Sequence, residues 1–445
     1  MDRYQAALDY LYSFVDYSLK HASELSKADF NLDRMRALMA HLGNPQDAYP
    51  TIHVAGTKGK GSVSALCESA LRRAGYTTGL YTSPHLQDFC ERIQVDGEPI
   101  THDELAELVE EIKPAVARVP HLTTFELTTA LGFLYFARRQ VNVAVIEVGL
   151  GGRLDATNVI TPHVSVITSL SYDHTMVLGE TLTLIAGEKA GIIKQGVPVV
   201  SAPQQEEAIR VLERVAAERS CDLILVGRDV RYKILSQSLE EQRVQCSVFS
   251  VQSSAVSEQD SVLLRIPLLG AHQAENAATA YTALKVSGLE VSDEEIVKGF
   301  AEVRWPGRFE IIQREDPTVI LDSAHNRDSF EKLVDTLGTY FPGRKVTLIF
   351  GVSEDKHLEA MLAAMKPLLA RVIAARADHP RALEPGKIIE TAKRLGVEVE
   401  AAALVETALG RALDLSQKDG SIVLSAGSLF VTAEVRQRML KRKNG

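Results

Sequence analysis

The residues with the clearest chemical use stand in the segment TIHVAGTKGKGS at 51–62. Its glycines let backbone N–H groups approach an anion. The helical pattern from Ser62 adds the partial positive charge of a helix N-terminus, and Lys60 adds a full one. Such a loop cradles nucleotide phosphates. The Walker spacing is broken twice, because Val54 stands at the first glycine position and Gly61 follows Lys60 where a magnesium-facing Ser or Thr belongs. A plain glycine-rich turn between strand and helix gives the same pattern, so this segment alone leaves both readings open.

Further acids and histidines fall at the ends of apolar runs. Glu147 lies at the end of the run at 141–148, and Asp173 and His174 follow the run at 164–168. Asp322, His325 and Asn326 follow 319–321, and Asp378, His379 and Arg381 follow 372–375. Open parallel sheets bind ligands at the carboxyl ends of their strands, which is where these residues would sit. Loop polarity is the alternative for any one of them. A carboxylate such as Glu147 behind an apolar run is costly to bury alone. A hard divalent cation bridging to phosphate oxygens would resolve that cost, and so would a cap or a salt bridge. His174 by itself reads equally as a metal ligand or a satisfied loop histidine.

The elements that must position these groups alternate between strand and helix. Leu32, Met35, Leu38, Met39 and Leu42 recur at helical spacing, with Gly43 and Pro45 as a stop. Beyond the glycine loop, strands are expected at 141–148 and 164–168, and helices at 124–139 and 204–219, which implies parallel βαβ units. Residues 221–268 break the rhythm and predict a small antiparallel appendage. Helices are expected at 272–286 and 293–303. The pattern stops at WPGR, 305–308, and a second α/β alternation has strands near 319–321, 346–350, 372–375 and 422–424. There is no internal repeat.

With 445 residues, 45% hydrophobic and 24% charged, the chain is long enough for two or three cores. No apolar run reaches membrane-spanning length, and the first residues lack a signal-peptide layout. Cys67, Cys90, Cys221 and Cys246 are scattered and read as reduced packing thiols of a cytoplasmic protein. The net charge of −9 argues against a nucleic-acid-binding surface. No Asn-Lys-x-Asp motif supports a GTPase-type switch.

Taken together, the motifs resemble the folylpolyglutamate synthases and dihydrofolate synthases, a family of Mur-ligase-like ATP-dependent amide ligases. The resemblance runs through nearly the whole chain: LDRMR at 32–36, LGNP at 42–45, the glycine loop, YTSPHL at 81–86, TTFE at 123–126, EVGLGG at 147–152, DATN at 155–158, Asp173-His174, EKAGI at 188–192 and HQAEN at 272–276. It continues with WPGR at 305–308, DSAHN at 322–326, DHPRA at 378–382 and GSLF at 427–430. Each motif is weak alone; the ordered set is specific.

The resemblance implies an α/β protein with two domains. Residues 1–304 would form a P-loop-type mononucleotide-binding domain with a mostly parallel sheet, N-terminal helices and the small antiparallel appendage. Residues 305–445 would form a Rossmann-like α/β ligase domain. It further implies that Thr57, Lys58, Gly59, Lys60 and Gly61 wrap the ATP phosphates, and that Asn276, Arg308 and Asp322 contact the nucleotide. Ser83, Glu147 and His174 match magnesium positions, with one or two ions and room for a monovalent cation. Ser83 would then supply the oxygen that Gly61 lacks, or serve only as a turn residue before Pro84. Lys189 matches a lysine carbamylated in the family, or stands unmodified beside an acid such as Glu188. Thr123, Thr124, Phe125, Glu126, Leu154, Asp155 and Ala156 match contacts to the pteroate side, with core packing the alternative for Phe125.

His325, Arg381 and Ser428 fall where the family receives glutamate, and His325 or Asp322 is the candidate base. The family's loop usually has Asn where this chain has Lys58, and Gly where it has Ser323. The implied reaction joins L-glutamate to a pterin carboxylate through an acyl phosphate. The GGRLDATN stretch at 151–158 resembles the bacterial bifunctional type, acting on dihydropteroate and on reduced folates; folylpolyglutamate synthase activity alone is the alternative. Partners are small molecules only, and the chain is read as a monomer without nucleic acid or membrane.

Overall fold

The computed structural model describes residues 2–16, 30–248 and 261–444. The chain divides into two compact units, Met1–Pro267 with His272–Arg304, and Leu268–Ala271 with Trp305–Gly445.

In the first unit, α1 (Arg3–Tyr12) and α2 (Leu32–His41) precede the sheet, and α2 buries Leu32, Met35, Leu38 and Met39 as their spacing predicts. There follow β1 (Thr51–Ala55), α3 (Lys60–Arg73), β2 (Thr78–Tyr81), β3 (Ile93–Val95), β4 (Glu98–Pro99), α4 (His102–Val116) and α5 (Thr124–Arg138). Next come β5 (Val143–Glu147), β6 (Val164–Ile167), α6 (Thr175–Leu178), α7 (Leu182–Ala190), β7 (Val199–Ser201), α8 (Glu206–Glu218) and β8 (Leu223–Leu225). The strands form one sheet in the order β4-β3-β2-β5-β1-β6-β7-β8. β2, β5, β1, β6, β7 and β8 run parallel, and β3 and β4 turn back along one edge. Every residue of β1, β5 and β6 is buried, the polar Thr51, His53 and Ser165 included, as befits central strands of a parallel sheet covered on both faces. Val54 pairs with Glu147 and Ala55 with Ile167, which brings the carboxyl ends of β5, β1 and β6 level.

The appendage is smaller than predicted. β9 (Val230–Gln237), β10 (Gln242–Val248) and β11 (Ser261–Ile266) make an antiparallel sheet in the order β11-β10-β9. Residues 223–225 do not belong to it, because β8 pairs with β7 in parallel as one more βαβ step. α9 (Ala271–Val286) and α10 (Asp293–Glu302) follow.

The second unit contains β12 (Glu310–Gln313), β13 (Val319–Leu321), α11 (Arg327–Tyr340), β14 (Val346–Phe350), α12 (Leu358–Met365), β15 (Leu369–Ala374), α13 (Pro385–Arg394), β16 (Val399–Ala401), α14 (Val405–Asp419), β17 (Ile422–Ala426) and α15 (Leu429–Asn444). Its sheet has the order β12-β13-β17-β14-β15-β16, parallel except for β12. Leu348, Phe350, Val372 and Leu424 point into one core, and their neighbours Ile349, Ile373 and Val423 into another. Successive strand residues face opposite ways, so cover on both sides of the sheet buries every residue of its central strands β13, β17 and β14. Among the described residues no helix is long and apolar enough to cross a membrane.

Candidate active site

In the first unit, four adjacent parallel strands end at one edge of the sheet, in the order β2, β5, β1, β6. The loop after β1 is the glycine loop. Gly59 starts α3 with φ +89° and no side chain caps the helix, whereas α4, α5 and α10 each carry a capping box. An uncapped helix start leaves N–H donors for a ligand anion. The loop is also tight. A Cβ on Gly59 would lie 2.3 Å from Asn276 Oδ1, and one on Gly56 would lie 1.8 Å from Thr168 Oγ1. Asn276, on α9, thus stands directly against the loop, held by a 3.0 Å bond from its Nδ2 to Gln273 Oε1.

The loop's charges are matched by acids from neighbouring strand ends. Lys60 Nζ lies 3.8 Å from Glu147 Oε1, and the Ser83 backbone N–H donates to Glu147 Oε2 at 3.2 Å. Ser83, Glu147 and Lys60 are therefore together, as expected from the sequence. Glu147 is buried, and its hard, anionic oxygens suit Mg²⁺. Lys58 Nζ donates to Asp173 Oδ2 at 3.0 Å. The Thr57 and Lys58 N–H groups both donate to Ser169 O, and Thr57 Oγ1 donates to Ser171 O. These bonds lace the glycine loop to the segment after β6. His174 follows in the left-handed conformation, φ +50°, its side chain half exposed and its Nε2 3.9 Å from Asp173 Oδ1. Glu147 and His174 do not share a cluster of three close His, Cys, Asp or Glu ligand atoms among the described residues.

Lys189, on α7, is buried, and its Nζ donates to Gly56 O at 2.9 Å. Burial, and after it the nearby Lys60, lower its pKa to about 7 against the opposing pull of Asp173 and Asp155. At that value a large share of the amine is neutral near neutrality, the form that reacts with carbon dioxide to give a carbamate.

The TTFE and DATN residues carry structural duties. Thr123 and Glu126 form the capping box of α5, and Glu126 also meets Arg34 Nε at 3.1 Å. Thr124 Oγ1 donates to Leu11 O. Asp155 is buried, with Oδ2 accepting from Leu150 N and Oδ1 from Thr157 N and Oγ1; burial raises its pKa against these bonds. Ala156 is buried beside it and Leu154 is half-buried. Phe125 is half-buried against Gly149, where a Cβ would lie 2.3 Å from Phe125 Cζ.

The second unit repeats the principle. The loops after β13, β17, β14 and β15 leave one edge from adjacent parallel strands. Asp322 is fixed by N–H donors from Phe309 and Ala324, and burial raises its pKa while Arg308 pulls it down. His325 Nδ1 lies 2.8 Å from Ser323 O, so a neutral ring carries its proton there and its lone pair on Nε2. Ser428 and His379 line a small pocket with Val352, Ser353 and Phe430, and the His379 ring stacks on Phe430 at 3.9 Å. Arg381 Nε is a buried donor with no hydrogen-bond partner among the described residues. Asp173 and His379, which the sequence places beyond strand ends, find partners here in Lys58 and in the Phe430 ring.

Both units match known protein families. Residues 54–284 match the Mur ligase middle domain and residues 307–429 the Mur ligase glutamate ligase domain. The chain is 36% identical to the dihydrofolate synthase/folylpolyglutamate synthase of Bacillus subtilis, over 92% of this chain and 94% of that one. The chain belongs to the folylpolyglutamate synthase/dihydrofolate synthase family of Mur-ligase-like enzymes. It is an ATP-dependent acid–amino-acid ligase. The folylpolyglutamate synthase of Lacticaseibacillus casei is 35% identical over 92% of this chain and 95% of its own. The Mycobacterium tuberculosis folylpolyglutamate synthase complexed with ADP superposes with a TM-score of 0.87 at 32% identity, covering 98% of this chain and 99% of that one. Family members with one activity and with two are thus about equally similar to this chain.

Proposed function

We propose that this ligase joins L-glutamate to pterin carboxylates, making dihydrofolate from dihydropteroate and extending the γ-glutamyl tail of reduced folates. The observation that carries the reading is the meeting of the uncapped start of α3, Lys60 and Glu147 at the ends of β1 and β5. That arrangement receives a triphosphate. The acceptor carboxylate attacks the γ-phosphorus of ATP, ADP leaves, and an acyl phosphate forms. The glutamate amine then displaces inorganic phosphate and the amide closes.

The residues take these parts. Thr57 to Gly61 hold the phosphates, and the Lys60 ammonium stabilises charge on the transferring phosphoryl group. Asn276 fixes the loop conformation through Gly59. Glu147, Ser83 and His174 are the residues that would hold Mg²⁺, which would supply charge neutralisation to the triphosphate. Lys189 is the carbamylation site, and its low pKa supports that assignment. Phe125 and Leu154 border the pterin side. Arg308 and Asp322 serve the nucleotide. Arg381 and Ser428 receive glutamate, the orphan Nε of Arg381 being a donor that a carboxylate would satisfy. His325 Nε2 takes the proton that the glutamate ammonium must lose.

The dual activity rests on the GGRLDATN stretch at 151–158. It is tested by phosphate release from ATP with Mg²⁺ and glutamate, offering dihydropteroate and tetrahydrofolate separately. Release with both acceptors is expected. Release with tetrahydrofolate alone would leave folylpolyglutamate synthase activity only, and release with neither would overturn the folate reading.

A further inference from the structure

Apart from the residues assigned to the reaction, three different ligand chemistries converge near α1. One ligand atom each from Asp88, Cys90 and His102 lies within 4.8 Å of the others, the only such group of three among the described residues. Asp88 caps the short 3-10 turn Phe89–Arg92, and His102 is the first residue of α4. The Asp88 carboxylate is held in place through one oxygen. Oδ1 accepts from Cys90 N at 2.8 Å and from Tyr4 Oη at 2.9 Å, which turns Oδ2 to His102 Nε2 at 2.8 Å. The Tyr4 ring stacks flat on the imidazole, with centroids 3.7 Å apart and planes 3° from parallel. Cys90 is buried beneath, whereas the Asp88 and His102 side chains are 41% and 53% exposed. An ion can therefore reach the carboxylate and imidazole from solvent and find the sulfur behind them.

We propose that Asp88, Cys90 and His102 form a binding site for a divalent transition metal, with Zn²⁺ the ion the donors fit best. A set of sulfur, nitrogen and oxygen is typical of zinc and disfavours the hard ions Mg²⁺ and Ca²⁺. Binding exchanges the thiol proton for the ion, and water completes a tetrahedral shell on the exposed side. Donors about 2.0–2.3 Å from a tetrahedral ion stand roughly 3.3–3.8 Å from one another. Asp88 Oδ2 and His102 Nε2 must therefore part by roughly half an ångström from their hydrogen-bonded distance. Exposed His102 has room for that. Tyr4 Oη and the Cys90 N–H, both bonded to Oδ1, fix the carboxylate without touching the ion. The bound ion would fasten the turn that follows the YTSPHL loop to the start of α4.

Cobalt titration of the full-length protein tests the site, because only a cobalt–thiolate bond gives the sulfur-to-metal charge-transfer band, and zinc competition then gives the affinity. A band that saturates at one equivalent is expected. It should disappear in Cys90→Ser, and zinc affinity should fall at least about 10-fold in His102→Gln and about 10-fold in Tyr4→Phe. Because His102 is exposed, His102→Gln reports on the site even where Cys90→Ser fails to fold. Cys221→Ser should keep the band. The proposal is overturned if no band forms, if the band survives His102→Gln with unchanged zinc affinity, or if only Cys221→Ser abolishes it.

Discussion

The Lys58 ammonium stands 3.0 Å from Asp173 Oδ2, so an ion pair joins the glycine loop after β1 to the segment after β6 that carries His174. Both side chains are mostly buried, at 16% and 10% exposure. Lys58 is thereby committed to a neighbouring acid as well as lying beside the phosphate cradle. A pair at this depth falls between the surface and the buried case, and removing either partner should cost about 1–3 kcal/mol. In a double-mutant cycle of Lys58→Ala and Asp173→Ala read by urea denaturation, the losses should be well short of additive. Additive losses would mean that the pair does not couple the two segments.

Lys60 and Glu147 form the second charge pair of the loop. Lys60→Ala and Glu147→Gln should each lower kcat by about 100-fold or more, with the circular dichroism spectrum unchanged. Near-normal turnover in either variant would remove that residue from the phosphate site.

Gly59 is constrained twice, by φ +89° and by Asn276 Oδ1 at 2.3 Å from a would-be Cβ. Gly43 has φ +80° but no atom within 4 Å of its would-be Cβ, so it isolates the backbone effect. Gly43→Ala should lose roughly 1–2 kcal/mol of stability, and Gly59→Ala at least as much, because Asn276 must also give way. Only Gly59→Ala should also weaken nucleotide binding, by about 10-fold or more through loss of the helix-start geometry. Calorimetric titration with a non-hydrolysable ATP analogue gives the comparison, and equal nucleotide affinity in both variants would contradict it.

Lys189 links the site to pH. Its ordinary value is 10.5, and in the folded protein burial lowers it to about 7. Between those values the unfolded chain binds a proton that the folded chain does not, so stability rises with pH across that window and is lost as pH falls toward 7. Lys189→Met removes the dependence. In buffers freed of carbon dioxide, the stability of the parent relative to Lys189→Met should rise with pH between 7 and 10, by at most about 1.4 kcal/mol per unit. A flat difference would show that Lys189 titrates normally.

Much of this was legible in the residues, and the exceptions have physical causes. The phosphate loop and Glu147 announce themselves by type and by position behind apolar runs, Ser83 is pointed to only by the resemblance, and the sheet order brings all three to one edge. The partner of Lys58 lies 115 residues along the chain, and no local pattern reports such a contact. The sequence does not separate β8 from the appendage, because three apolar residues carry no alternation that distinguishes a parallel edge strand from an antiparallel one. Thr123 and Glu126 matched substrate contacts through the resemblance, yet T-x-x-E before an apolar run is also a capping-box signature, and the box is formed.

The acyl phosphate is the centre of the account, and isotope transfer tests it most directly. The acceptor carboxylate, labelled with oxygen-18, is incubated with ATP, Mg²⁺, glutamate and the full-length protein, and the released products are analysed by mass spectrometry. The mechanism predicts ADP and inorganic phosphate, with one labelled oxygen carried from the carboxylate into the phosphate. Release of AMP and pyrophosphate, or of phosphate without the label while amide accumulates, would contradict it.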